Sequence, residues 1–153
     1  TITENTETYT FEYLHKDIYV EIEGKVFSGM NVAEEYLKMN QYQRKIKDIT
    51  GFKPFPGTLN LRSSKEEVKN TLDHVDSVRI SSFSSEGEEY SGIDVYPARV
   101  QGHDAAVLRM DVTDYGPEVV EIVAKHKLRE TLDVKDGDKI KVDVKNNFQS
   151  ESS

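Results

Sequence analysis

GFKPFPGTLNL, Gly51 to Leu61, cannot be helical. Pro54 and Pro56 lack a backbone donor and fix φ, and Gly51 and Gly57 flank them with turn-prone backbone. The stretch then alternates, with Leu59 and Leu61 on one face of a strand and Thr58 and Asn60 on the other. A rigid approach therefore aims one hydroxyl and one carboxamide in a common direction.

The flanking segments extend this reading outward. Upstream, NQYQRKIKDIT (40–50) carries Tyr42, Ile46 and Ile49 at helical spacing and stops at Gly51. Further upstream, Ile18, Val20 and Ile22 alternate in DIYVEIEGKVFSG, with Gly24 and Gly29 as bulge or turn points. Downstream, Ser64 to Glu67 has capping-box spacing and predicts a short helix. SVRISSF and EYSGIDVYPARV read as strands around a Ser85-Glu86-Gly87 turn, and AAVLRMDV as another. EVVEIVAKHKLRETLDV ends in a helical turn or two. In KDGDKIKVDVK, Asp136-Gly137 makes a tight turn before alternating Ile140, Val142 and Val144. The sum is about six strands and two or three short helices without regular strand–helix alternation. That pattern predicts a mainly β chain, a compact six-stranded barrel with inserted helices, rather than a doubly wound sheet. A polar tail is expected over 1–16, the barrel over 17–145 and a disordered tail over 146–153.

At 153 residues the chain suits one domain with a real core. Twenty-eight acidic against 20 basic side chains give a net charge of −8, which opposes nucleic acid; a nucleic-acid partner is not expected. An anionic ligand would need local amides, a metal ion or a small basic cluster. With no cysteine, disulfides and Cys-ligated zinc drop out, and a cytoplasmic setting is expected. No apolar run approaches the ~18–20 residues of a membrane span, so no membrane partner is expected. Thr1 follows either a removed methionine or an upstream domain, lost or absent; both stay open.

The phosphate-binding patterns GxxxxGK[ST] and GxGxxG are missing, as is the nucleophile elbow GxSxG. His15, His74, His103 and His126 form no HxxxH or HxH pair. Two clusters remain. Thr58 and Asn60 offer neutral oxygens two positions apart, either a partial shell for Mg²⁺ or simply the wet face of a strand. Lys125, His126, Lys127 and Arg129 concentrate positive charge, either a local anion site or a solvated helix end.

Taken in order, GKVFSG, GFKPFPGTLNL and VVEIVAKHKLRETLDVKDGDKIKV resemble the archaeal CTP-dependent riboflavin kinases, from about Glu23 to about Lys145. The resemblance implies a six-stranded barrel of the cradle-loop type. It implies transfer of the γ-phosphate of CTP to the 5′-hydroxyl of riboflavin, giving FMN and CDP with Mg²⁺. The partners expected are small-molecule substrates, and the chain itself is expected to be a monomer. Position by position it implies Thr58 and Asn60 as metal ligands, and Thr113 and Glu121 as flavin contacts. Glu121 would orient the ribityl hydroxyls or accept the proton of the attacking one. His126, Lys127, Leu128 and Arg129 fall on a stretch that contacts the nucleotide. One segment departs from the family pattern. Where relatives carry G-x-G-E-G against the nucleotide, this chain reads Gly29-Met30-Asn31-Val32-Ala33-Glu34, keeping the first glycine and losing the next two. Asn31 to Glu34 has capping-box spacing and predicts a helix start. The departure keeps a second reading open, a barrel that binds flavin or nucleotide without turnover. A third, a DNA-binding barrel dimer, is opposed by the acidic balance.

Overall fold

The computed structural model describes residues 18–146. The expected tails lie outside the described residues, except that Asn146 ends a strand.

The chain runs β1 (Ile18–Phe27), α1 (Val32–Leu37), α2 (Asn40–Thr50), β2 (Leu59–Arg62), α3 (Lys65–Leu72), β3 (Val78–Ile80), β4 (Phe83–Ser85), β5 (Glu88–Tyr90), β6 (Ile93–Val100), β7 (His103–Met110), β8 (Val119–Ala124), α4 (Leu128–Thr131) and β9 (Lys139–Asn146). Six of these strands close a barrel in the order β6-β7-β8-β2-β1-β9, with β9 returning to β6, every pairing antiparallel. The expected barrel is therefore present. Among the described residues the helices number four rather than two or three, and three short strands add to the six: β3 extends the sheet from β6, and β4 and β5 form a separate hairpin. That hairpin turns on Glu86 and Gly87, both at positive φ as a tight two-residue hairpin requires.

Local chemistry explains the elements. The helix α2 spans the residues its apolar spacing predicts, and Gly51 ends it at φ 85°. Ser64 caps α3, its hydroxyl accepting from Glu67 N at 3.0 Å. The reciprocal half of that capping box is diverted: the Glu67 carboxylate accepts instead from Glu23 N at 3.1 Å and Ser63 Oγ at 2.9 Å, tying α3 to β1. Gly24 is no bulge; β1 passes through it in regular register with β9. A Cβ there would stand 2.9 Å from Leu61 Cβ, so glycine lets β2 cross closely.

The wall of the barrel separates two cores. Inside lie Ile22, Leu59, Leu61, Val107, Ile122 and Val142, plugged by Val68 and Leu72 of α3 and Leu128 of α4. Outside, Leu37 of α1 and Tyr42 and Ile46 of α2 pack on Val95, Ala106, Leu108 and Val123. Strands β7 and β8 are thus apolar on both faces, which is why their sequences read as continuous hydrophobic runs. The residues singled out from the sequence gather near the edge of this outer helical layer.

Candidate functional site

Strand β2 sends Leu59 and Leu61 inward, as its alternation predicts, and Asn60 outward. Its antiparallel neighbour β8 sets Glu121 directly opposite Asn60. The outer surface here is not open to water: Asn60 and Glu121 are both buried, at 5% and 7% exposure. The wet-face alternative for Asn60 is corrected accordingly. Thr58 precedes β2 rather than lying in it, half-buried, and its hydroxyl donates to Asn60 Oδ1 at 2.8 Å. The prolines place it there, as Phe55 N bonds Ala124 O and Gly57 N bonds Phe55 O, both at 2.8 Å.

Two side-chain oxygens this close can share a cation. Octahedral Mg²⁺ holds oxygens at about 2.0–2.1 Å, so neighbouring ligand oxygens stand about 2.9 Å apart. The 2.8 Å between Thr58 Oγ1 and Asn60 Oδ1 matches one such edge. Among the described residues no cluster of three or more His, Asp or Glu side chains accompanies them. Two neutral oxygens make a shell only with water and phosphate oxygens, which suits a cation that arrives with a nucleotide.

Glu121 is buried between Asn60 and the mixed lining of a small cleft, and no group among the described residues donates to its carboxyl. Burial alone pushes its pKa from 4.5 up to about 7. A carboxylate so poised can accept a proton near neutral pH or donate one.

Two clefts meet at this pair. The larger, about 260 Å³, runs between the Phe55–Asn60 approach, the Phe27–Gly29 end of β1 and the His126–Arg129 segment, with Asn31 and Glu34 on its rim. The smaller, about 140 Å³, lies between Val32, Ala33 and Tyr36 of α1 and the Val112–Tyr115 loop, with Glu121 in its wall. The structure therefore brings Thr58 and Asn60 together with His126, Lys127, Leu128 and Arg129, and brings Thr113 together with Glu121. A depression of about 500 Å³ along β1 and β9 is larger, but its lining mixes both charges and includes no buried polar group.

The segment Gly29–Glu34 divides between the clefts. Gly29, Asn31 and Glu34 line the larger, Val32 and Ala33 the smaller, and Met30 neither. A helix does start here, but the capping box does not form. Asn31 sits at φ 58°, in the left-handed region, and its side chain accepts no cap hydrogen bond. Gly29 leaves room for two side-chain ends, since a Cβ there would displace the Tyr115 hydroxyl and the Asn60 amide.

The basic segment is less free than its sequence suggests. Arg129 pairs with Asp136 at 2.7 Å and reaches Ser28 Oγ at 3.5 Å, and Ser28 itself donates to Asp136 at 3.0 Å. This knot holds the Asp136 carboxyl below the usual carboxylate range. It also joins α4, the β9 turn and the end of β1 around the cleft. Leu128 is buried in the barrel core, so its side chain is packing and only its backbone faces outward chemistry. His126 and Lys127 stay exposed, Lys127 standing 3.9 Å from Glu130. Lys125 faces a different hollow, beside His103 and Asp104.

Sequence reasoning missed Tyr115, Phe27 and Phe55. The Tyr115 hydroxyl accepts from Met30 N at 2.7 Å, and its ring meets Phe27 edge-on at 5.8 Å. An aromatic residue inside the Asp-Tyr-Gly-Pro loop was its sole signal.

The family model CTP-dep_RFKase, described as domain of unknown function DUF120, matches residues 26–144. A riboflavin kinase of Methanocella arvoryzae is 38% identical over 119 residues, 78% of this chain and 54% of its own. One from Methanosarcina mazei is 38% identical over 128 residues, covering 82% and 57%. One from Ignicoccus hospitalis is 36% identical over 125 residues, covering 80% and 70%. The chain spans about half the length of the first two relatives. With a family match across nearly all of the barrel and archaeal relatives over most of the chain, this protein belongs to the CTP-dependent riboflavin kinase family.

Proposed function

We propose that this chain is a riboflavin kinase that transfers the γ-phosphate of CTP to the 5′-hydroxyl of riboflavin. One observation carries the reading: a buried carboxyl with its pKa near 7 lies opposite a Thr–Asn oxygen pair, at the junction of two clefts. Riboflavin takes the smaller cleft with its ring between α1 and the Val112–Tyr115 loop, Thr113 and Glu121 meeting its polar side. The nucleotide takes the larger cleft along His126–Arg129. The donor is CTP, in keeping with the family's name. The cysteine-free sequence suits the reducing cytoplasm.

In the reaction the 5′-oxygen attacks the γ-phosphorus, the bond from that phosphorus to the β,γ-bridging oxygen breaks, and CDP leaves. Glu121 accepts the hydroxyl proton or holds the ribityl chain in line. Thr58 and Asn60 would hold Mg²⁺, which when bound neutralises phosphate charge. Positioning and charge neutralisation carry most of phosphoryl transfer, so little covalent work falls to the protein.

Binding without turnover is the second reading. It draws on Glu34 at the rim of the larger cleft and on Arg129 being engaged by Asp136, which leave few cations for phosphate. Incubation with riboflavin, Mg²⁺ and each of CTP, ATP, GTP and UTP, scored for FMN, separates the two. FMN formed with CTP above the others supports the kinase. Riboflavin bound but never converted would leave the sensor.

A further inference from the structure

Tyr115 stands at the boundary of the two clefts. Its ring lines the smaller one beside Thr113 and Glu121. Its hydroxyl accepts the Met30 N–H at 2.7 Å and lies against Gly29, which lines the larger one beside Asn60. Its own N–H donates to Thr113 Oγ1 at 3.2 Å, so the tyrosine is held from the flavin side as well. The hydroxyl proton has no acceptor among the described residues. No other side chain in the described structure bonds the backbone of residues 29–31 across this divide.

We infer that Tyr115 is a positioning residue that couples the two clefts, so that riboflavin and the nucleotide bind cooperatively. The inference rests on the kinase reading of the site. A flat ligand in the smaller cleft immobilises the Tyr115 ring. The ring fixes the hydroxyl, the hydroxyl fixes Met30 N, and the Gly29–Asn31 backbone is then held in the shape that walls the larger cleft. A ligand in the larger cleft acts back along the same bonds, because coupling between two binding sites is reciprocal. The shortened glycine content of this segment makes it dependent on such a tie: Asn31 holds a left-handed conformation without a cap bond of its own.

The test is titration calorimetry of riboflavin, with and without saturating CDP and Mg²⁺, on the wild type and on Tyr115→Phe. CDP cannot donate a γ-phosphate, so binding is read without turnover, and phenylalanine keeps the contact with Phe27. In the wild type CDP is expected to tighten riboflavin binding by about two- to tenfold, the range one hydrogen bond contributes. In Tyr115→Phe that ratio is expected to fall to about one, with the reverse titration of CDP giving the same loss. A purely structural role would weaken both ligands and leave the ratio unchanged; that result would overturn the inference. A wild-type ratio of one would overturn it too while leaving the kinase reading intact. Failure of the wild type to bind riboflavin at all would remove the reading and the inference together.

Discussion

Replacing Glu121 with glutamine keeps the side chain's shape and removes its titratable proton. Burial raises this carboxyl from 4.5 to about 7 in the folded protein. At ~1.36 kcal/mol per unit, that shift corresponds to roughly 3 kcal/mol. The folded state therefore binds a proton more tightly than the unfolded chain does. Below the unfolded value both states are protonated and Glu121 contributes no pH-dependent cost. Between 4.5 and about 7 stability falls as pH rises, and above that range the folded carboxylate sits ionised in its buried position at the full cost. Glutamine has no such dependence. With about 3 °C of Tm per kcal/mol, the advantage of Glu121→Gln should grow from near zero at about pH 4 to roughly 10 °C at about pH 8.5. Thermal melts of both ligand-free proteins in matched buffers read this directly. FMN formation should move the other way, falling in the variant although it is the more stable protein at high pH. A Tm difference that stays flat with pH would refute the burial argument and, with it, the grounds for giving Glu121 a proton-transfer role.

Asn60→Ala removes one of the two proposed metal oxygens; Mg²⁺ affinity and FMN formation should fall by about 100-fold or more. Its Tm should drop by only a few degrees, and comparable losses in melt and assay would return Asn60 to packing alone. Asn31→Gly should raise stability by roughly 0.5–1 kcal/mol, because Asn31 occupies a left-handed conformation with no cap bond to lose. Ala33→Gly should lower it by about 1 kcal/mol or more, because Ala33 is buried in the first turn of α1. Equal melts for the two single variants would contradict that assignment. Gln43→Leu should cost about 1–3 kcal/mol by denaturant titration, since the Gln43 amide donates to Leu37 O and Pro54 O and leaves both carbonyls unpaired when lost. An unchanged midpoint would show that water replaces it.

Elements with strong local chemistry were legible in the sequence. The helix α2 has a clear period and a glycine stop, α3 has its serine cap, and β9 alternates after an Asp-Gly turn. Alternation also separated Leu59 and Leu61 from Asn60. It could not show that Asn60 and Glu121 are buried, because the cover comes from α1, far from both in the chain, and from a loop before β8 that carries no regular period. Spacing at Asn31 suggested a capping box, whereas the backbone there adopts a left-handed turn that leaves the side chain unused. The Ser28–Asp136–Arg129 knot is spatial only, joining residues from three elements that no period relates.

One of the two longest seams of the barrel joins β1 to β9, and there Lys25 meets a partner, Lys139, more than a hundred residues later in the chain. Such distant pairing places this fold among the slower-folding topologies. At ~5–20 residues per second of synthesis, β1 waits roughly 5–20 s for its partner. During that interval the Ser28–Gly29 wall of the larger cleft exists without the Asp136 and Arg129 that tie it down. The newborn chain can therefore collapse around its helices long before the larger cleft has all its walls. That cleft is complete only once the last strand has closed on the first.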